Sequence, residues 1–138
     1  NGLLTTYKIF PYIVAMLLAV GMLRKSGGLD FILILLSPII NLLGIPKEVM
    51  PLVLMKPLSG SGALGVLADI LKQYGADSFV GILASVVMSG TETIFYTITV
   101  YFGAVGIKNI RHSLVCAIIA DLSCLIAAIF ICRIFFLG

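Results

Sequence analysis

Apolar residues fall along this chain in long blocks, not in the short periodic stripes of a soluble fold. Leu3 to Leu23 is the first block, with Lys8 near one end and Arg24-Lys25 closing the other. A run of that length predicts a helix that crosses a hydrocarbon core of about 30 Å. A turn at Lys25 to Gly28 separates it from a second apolar run, Leu29 to Ile45, where Ser37-Pro38 predicts a kink and "GIPK" at Gly44 to Lys47 a stop. The last block, Ser113 to Leu137, is interrupted only by Asp121, Ser123 and Arg133 and predicts a final span, with Arg133 reaching for the interface.

Two segments between these blocks break the pattern. Val49 to Leu71 is long enough to cross, yet it holds Pro51, Lys56-Pro57 and the small residues Ser59-Gly60-Ser61-Gly62, all hostile to a continuous helix. Phe79 to Val105 is split by "MSGTET" at Met88 to Thr93. In lipid a broken helix leaves N–H and C=O groups unpaired at several kcal/mol each, so such breaks survive only where they face protein or water. Each segment is therefore expected to be two half-helices with an inward-facing break. Ser59-Gly60-Ser61 superposes on Ser89-Gly90-Thr91, and the runs that follow end near Tyr74-Gly75-Ala76 and Phe102-Gly103-Ala104, the pattern of a duplicated device. Half-helices starting after Ser59 and Gly90 aim positive N-termini at the bilayer midplane, and paired interruptions of this kind point to a transporter binding site.

Composition supports the membrane reading. With 61% hydrophobic and 11% charged residues and a mean hydropathy of +1.22, the chain lies far from the soluble average. The net charge of +3 is small and scattered, which argues against a nucleic-acid partner. No nucleotide fingerprint, zinc spacing, serine elbow or nucleophile–base pair is visible, so neither catalysis, nor a cofactor, nor a metal is expected. Cys116, Cys124 and Cys132 recur along one helical run, each about 12 Å from the next at 1.5 Å per residue, too far to pair; they read as small apolar filler. Lys and Arg are balanced between the loops, so membrane orientation stays open. The sequence begins at Asn1, not Met, so a preceding segment is expected.

The intramembrane charges carry the candidate chemistry. Glu92 sits at the second break between Thr91 and Thr93, where an ionised carboxylate needs helix N-termini, hydroxyls, a cation or water; a capping role is its structural alternative. Lys56, at the first break, is either a site residue or the ion-pair partner of Glu92 or Asp121. Asp121, in the last span, must face the interior for one of the same two reasons. Asp69, a turn before Lys72, reads as part of a solvated helix end. Tyr96, Thr99 and Gly103 form one stripe, and Phe95, Ile98 and Phe102 another; both read as packing faces.

"PLSGSGALGVLADILKQYGADSFVGILASVVMSGTETIFYTITVYFGAVGIK" (Pro57 to Lys108) resembles the spore maturation protein B family, within the membrane gate or nucleoside-recognition group that includes concentrative nucleoside transporters and ferrous iron transport protein B. The resemblance extends over nearly the whole chain, from "FPYIVAMLLAVGMLRKSGGLDF" (Phe10 to Phe31) onward. Lys56 stands where the family more often has Arg, and Ile94 where Thr is commoner; the first change weakens any bidentate role. The resemblance implies a multi-pass protein of the bacterial inner membrane, linked to spore core dehydration and acting with spore maturation protein A or, failing that, as a homodimer. It also implies a further N-terminal hydrophobic segment, a re-entrant hairpin at about 49–71 and a broken span at about 79–105.

The expected fold is thus one all-α integral membrane domain over residues 1–138, half of an inverted-repeat transporter-like bundle. Its expected role is half of a transporter or permease that holds a small polar solute or ion at Ser59, Gly60, Ser61, Gly90, Thr91, Glu92 and Thr93, with Lys56 and Asp121 as possible charge partners. The alternative is a non-transporting membrane subunit whose interrupted helices pack against spore maturation protein A.

Overall fold

The computed structural model describes residues 2–28, 31–32, 34–35, 38 and 44–137, and among these the chain is helical with no strand. Helix α1 (Gly2–Lys25) is 24 residues long, about 36 Å at the α-helical rise, and carries Pro11 within it. It ends in a turn where Gly27 takes φ +73°, a conformation that costs glycine nothing. The expected second span at Leu29 to Ile45, with its Ser37-Pro38 kink, lies largely outside the described residues.

A 3-10 turn (Lys47–Val49) leads into α2 (Met50–Leu58), with Pro51 in the first turn, where its missing N–H leaves no hydrogen bond unmade. Helix α2 stops at one residue. Ser59 is extended (φ −154°, ψ 115°) and serves as both the end of α2 and the N-cap of α3 (Gly60–Tyr74). Its N–H donates to Met55 O (2.8 Å), its carbonyl accepts from Ala63 N–H (2.8 Å), and its Oγ accepts from Gly62 N–H (3.1 Å). The break thus leaves no polar group of Ser59 idle. Gly75 (φ +86°) ends α3, and Ser78 caps α4 (Phe79–Gly90) by accepting from Gly81 N–H at 3.0 Å.

Residues 91–93 are non-helical. The helix resumes as α5 (Ile94–Thr97), winds as a π-helix over Ile98–Phe102 and closes at Gly106, φ +71°. The π stretch carries no signal in the sequence pattern. The last helix, α6 (Ser113–Leu137), coincides with the final apolar block. Helix–break–helix units therefore occupy 50–74 and 79–104, close to the expected segments.

Helix α4 is the centre of the packing, with α3 on one side and α6 on the other. Val49, Leu52, Leu83 and Val87 are fully buried, joined by Met55, Ala63 and Ile70 and by Leu125, Ala128, Ile129 and Cys132 from α6. Small residues set the spacing: a Cβ on Gly62 would lie 3.0 Å from Met55 Sδ, and one on Gly90 2.7 Å from Cys124 Sγ. Arg133, expected to reach for the interface, donates one guanidinium N–H to Gly44 O (2.8 Å), where Gly44 takes φ +64°.

The outer surface belongs in lipid. Phe79–Phe102 and Ser113–Phe136 are both long and apolar enough to cross a membrane. On α6, Val115, Ile119, Ile126, Phe130 and Phe135 are exposed around a helix that buries only one narrow stripe. So large an apolar surface is not sustainable in water.

Candidate functional site

The second break exchanges main-chain partners for side chains. In a continuous helix Met88 O would accept from Glu92 N–H; here Met88 O accepts from Lys56 Nζ at 2.7 Å, and Glu92 N–H donates to Asp121 Oδ1 at 3.2 Å. The negative end of α4 thus meets an ammonium and the freed N–H meets a carboxylate, each the favoured charge at its pole. Between them Thr91 turns back, sending both its N–H (3.1 Å) and its Oγ1 (2.7 Å) to Val87 O. Three separate helices, α2, α4 and α6, therefore hold this one interruption.

The two breaks also touch. A Cβ on Gly60 would lie 3.2 Å from Thr93 Cγ2, so the start of α3 rests against the residue that precedes α5. A Cβ there would press on the Thr93 methyl, which would have to give by a few tenths of an ångström. Lys56, Ser59 and Thr91 are buried around the contact, at 8%, 8% and 6% exposure.

The candidate residues divide by what they touch. Ser59 and Thr91 satisfy the main chain, and Ser61 Oγ lies 3.3 Å from Ser59 Oγ on the exposed side. Gly60 and Gly90 serve close approach. Thr93 precedes α5 without a side-chain cap. Lys56 does not pair with Glu92 or Asp121 as the sequence allowed; the carbonyl freed by the break lies in its path. Glu92 departs furthest from expectation: its backbone N–H is held by Asp121, but its side chain is exposed on this chain, not attended from within. Sequence reasoning missed Met88, because a main-chain carbonyl carries no residue signature, and Cys124, whose role depends on which α6 residue faces Gly90.

Behind the second break lies a cavity of about 670 Å³ between α2, α5 and α6, with Ile32 at one edge. Val53, Pro57, Ile94, Phe95 and Leu122 form apolar walls, and Thr91 and Asp121 bring the polar atoms. Asp121 Oδ1 holds Glu92 N–H, while Oδ2 is buried and accepts from no donor among the described residues. Lys56 and Glu92 are both near enough to act on this carboxylate electrostatically.

Comparison with known proteins gives two findings. The family described as "Gate: Nucleoside recognition" matches residues 6–108. The chain is also similar to spore maturation protein B of Bacillus subtilis (strain 168), 47% identical over 136 residues that cover 99% of this chain and 76% of that protein. No solved structure gives a significant match.

Proposed function

The chain belongs to the Gate family of nucleoside-recognition domains, and from that premise we propose that it forms one half of a membrane transporter or permease for a small polar solute or ion. In this reading Val49 to Leu71 enters the bilayer as a re-entrant hairpin and Phe79 to Val105 crosses it as a broken span. The observation that carries the proposal is the contact of the two breaks at Gly60 and Thr93, with Ser61 and Glu92 exposed beside it. An exposed carboxylate near the middle of the Phe79–Phe102 span costs several kcal/mol in lipid. A second half removes that cost by covering it, and the solute then lies between the halves against Ser59, Gly60, Ser61, Gly90, Thr91, Glu92 and Thr93.

The second half is a spore maturation protein A-like membrane chain or a second copy of this one, assembled in the bacterial inner membrane. The name of the Bacillus relative points the physiological role toward spore maturation, with solute movement during core dehydration as the process served. Glu92→Gln tests the site: it keeps shape and removes charge, so the melting temperature in detergent holds within a few degrees while complementation of a strain lacking the gene fails. Normal complementation would end the binding role of Glu92.

A second reading has its own support. Lys56, Ser59 and Thr91 all direct their polar atoms to main-chain groups of this chain, as a purely structural interruption would. Under it the protein is a non-transporting subunit, the Glu92→Gln variant complements, and vesicles holding this chain with its partner take up no solute.

A further inference from the structure

We propose that the apolar cavity between α2, α5 and α6 takes an acyl chain of an anionic phospholipid, whose phosphate is held by Lys108 and Arg111 in the loop that leads from α5 to α6. The site lies apart from Ser61 and Glu92, which do not line the cavity, and it does not depend on solute transport.

The walls decide what can fill the cavity. Water there needs roughly two to four polar partners, but Thr91 Oγ1 already donates to Val87 O, Asp121 Oδ1 already accepts from Glu92 N–H, and Asp121 Oδ2 is sealed within the protein. A polar solute is stranded for the same reason. Phe95, Ile118 and Leu122 line the cavity and are also 41%, 47% and 49% exposed, so it opens sideways onto the lipid-facing surface of α5 and α6. Hydrocarbon from the bilayer is the matching occupant. Depth agrees, because the α6 wall runs from Ile118 to Leu125, about 8 to 18 Å from Ser113 at the helical rise, and the hydrocarbon of one leaflet is about 15 Å deep. A tail anchored at the loop reaches most of that wall.

The loop selects the head group. It connects Phe79–Phe102 to Ser113–Phe136, both long and apolar enough to cross a membrane, and therefore lies at a bilayer surface. Residues 103–112 hold Lys108, Arg111 and His112 with no Asp or Glu, and the exposed Lys108 and Arg111 side chains have no partner among the described residues. Local bonding shapes the loop: Arg111 takes φ +46°, uncommon for a long side chain, and Asn109 Oδ1 accepts from its N–H at 3.1 Å. Toward the other ends of the two spans, Lys72 and Arg133 are matched by Asp69 and Asp77, and Arg133 is engaged by Gly44 O. Unmatched positive charge beside an apolar cavity fits an amphiphile with a negative head, and each Lys or Arg near the surface strengthens anionic-lipid binding about fivefold.

The chain has no tryptophan, so a single introduced one reports alone. Leu54→Trp stands on the cavity wall, with Leu58→Trp as a second reporter should the first fail to fold, and Phe130→Trp stands on the open lipid face of α6. The full chain is placed in phosphatidylcholine nanodiscs containing increasing mole fractions of phosphatidylglycerol or phosphatidylcholine with brominated acyl chains, which quench a tryptophan they touch. Brominated phosphatidylglycerol should half-quench the cavity reporter at a mole fraction at least about fivefold lower than brominated phosphatidylcholine, while the Phe130→Trp reporter responds equally to both. Lys108→Gln combined with Arg111→Asn, in which Asn tolerates the positive φ, should bring the two lipids to parity at the cavity. The melting temperature of the unsubstituted chain checks the preference without a reporter: it should be higher in phosphatidylglycerol than in phosphatidylcholine nanodiscs, and the double substitution should remove the difference. Equal quenching by the two lipids in the parent loop, cavity reporters that neither lipid quenches because protein closes the cavity, a preference that survives the double substitution, or equal melting temperatures overturns the proposal. Solute uptake enters none of these outcomes, so failure here leaves the transport reading standing.

Discussion

Replacing Gly60 with Ala tests whether the two breaks meet as described. Two effects of similar size oppose each other. A Cβ at 3.2 Å from Thr93 Cγ2 is tighter than ordinary contact, so one neighbour must yield by a few tenths of an ångström, at a cost of about 1 kcal/mol. In the first turn of α3, Ala is also favoured over Gly, by at most about 0.5–1 kcal/mol. The single change should therefore leave stability nearly unaltered, a result that alone says nothing. Thr93→Ser deletes the methyl group in the way while keeping the hydroxyl. In that background the same Gly60→Ala change should stabilise by about 0.5 kcal/mol or more, so the cycle yields a coupling of about 1 kcal/mol. Reversible unfolding in mixed dodecyl maltoside and dodecyl sulfate micelles, followed by circular dichroism, measures all four proteins. Additivity within about 0.3 kcal/mol would mean that the breaks do not touch, and the half-site argument would lose its main support.

Two further changes probe the devices that hold the interruptions. Ser59→Ala removes the hydroxyl that accepts from Gly62 N–H and should lower unfolding stability by about 1 kcal/mol, with Ser59→Asp or Ser59→Asn recovering part of it; no loss would show that the cap is idle. Gly81→Ala places a Cβ against the main-chain oxygens of Gly75 and Ala76, which cannot rotate away. It should destabilise by about 3 kcal/mol, and a melting temperature equal to the parent would refute the close passage of that turn over α4.

Much of the fold was legible because its determinants are local. The final span coincides with α6 because nothing in Ser113 to Leu137 competes with a helix in lipid. The interruptions were legible because Pro57, Gly60, Gly62 and Gly90 disfavour one continuous helix through their segments, so the breaks fall beside them, and because Ser59 can cap a new helix. The π-helix at Ile98–Phe102 was not, since its residues favour no winding over another and packing against α1 accompanies it.

The site divides along the same line. Sequence alone determined which residues interrupt the helices and that Lys56, Glu92 and Asp121 needed partners, because desolvation of charge follows from residue type and an apolar setting. Only the tertiary structure decided who partners whom. Lys56 meets the Met88 carbonyl, Asp121 takes the Glu92 amide, and Glu92 turns its carboxylate outward, because the break frees one main-chain acceptor and one donor at points that α2 and α6 happen to reach. Those groups belong to the backbone, carry no side-chain signature, and come together only when helices distant in sequence pack.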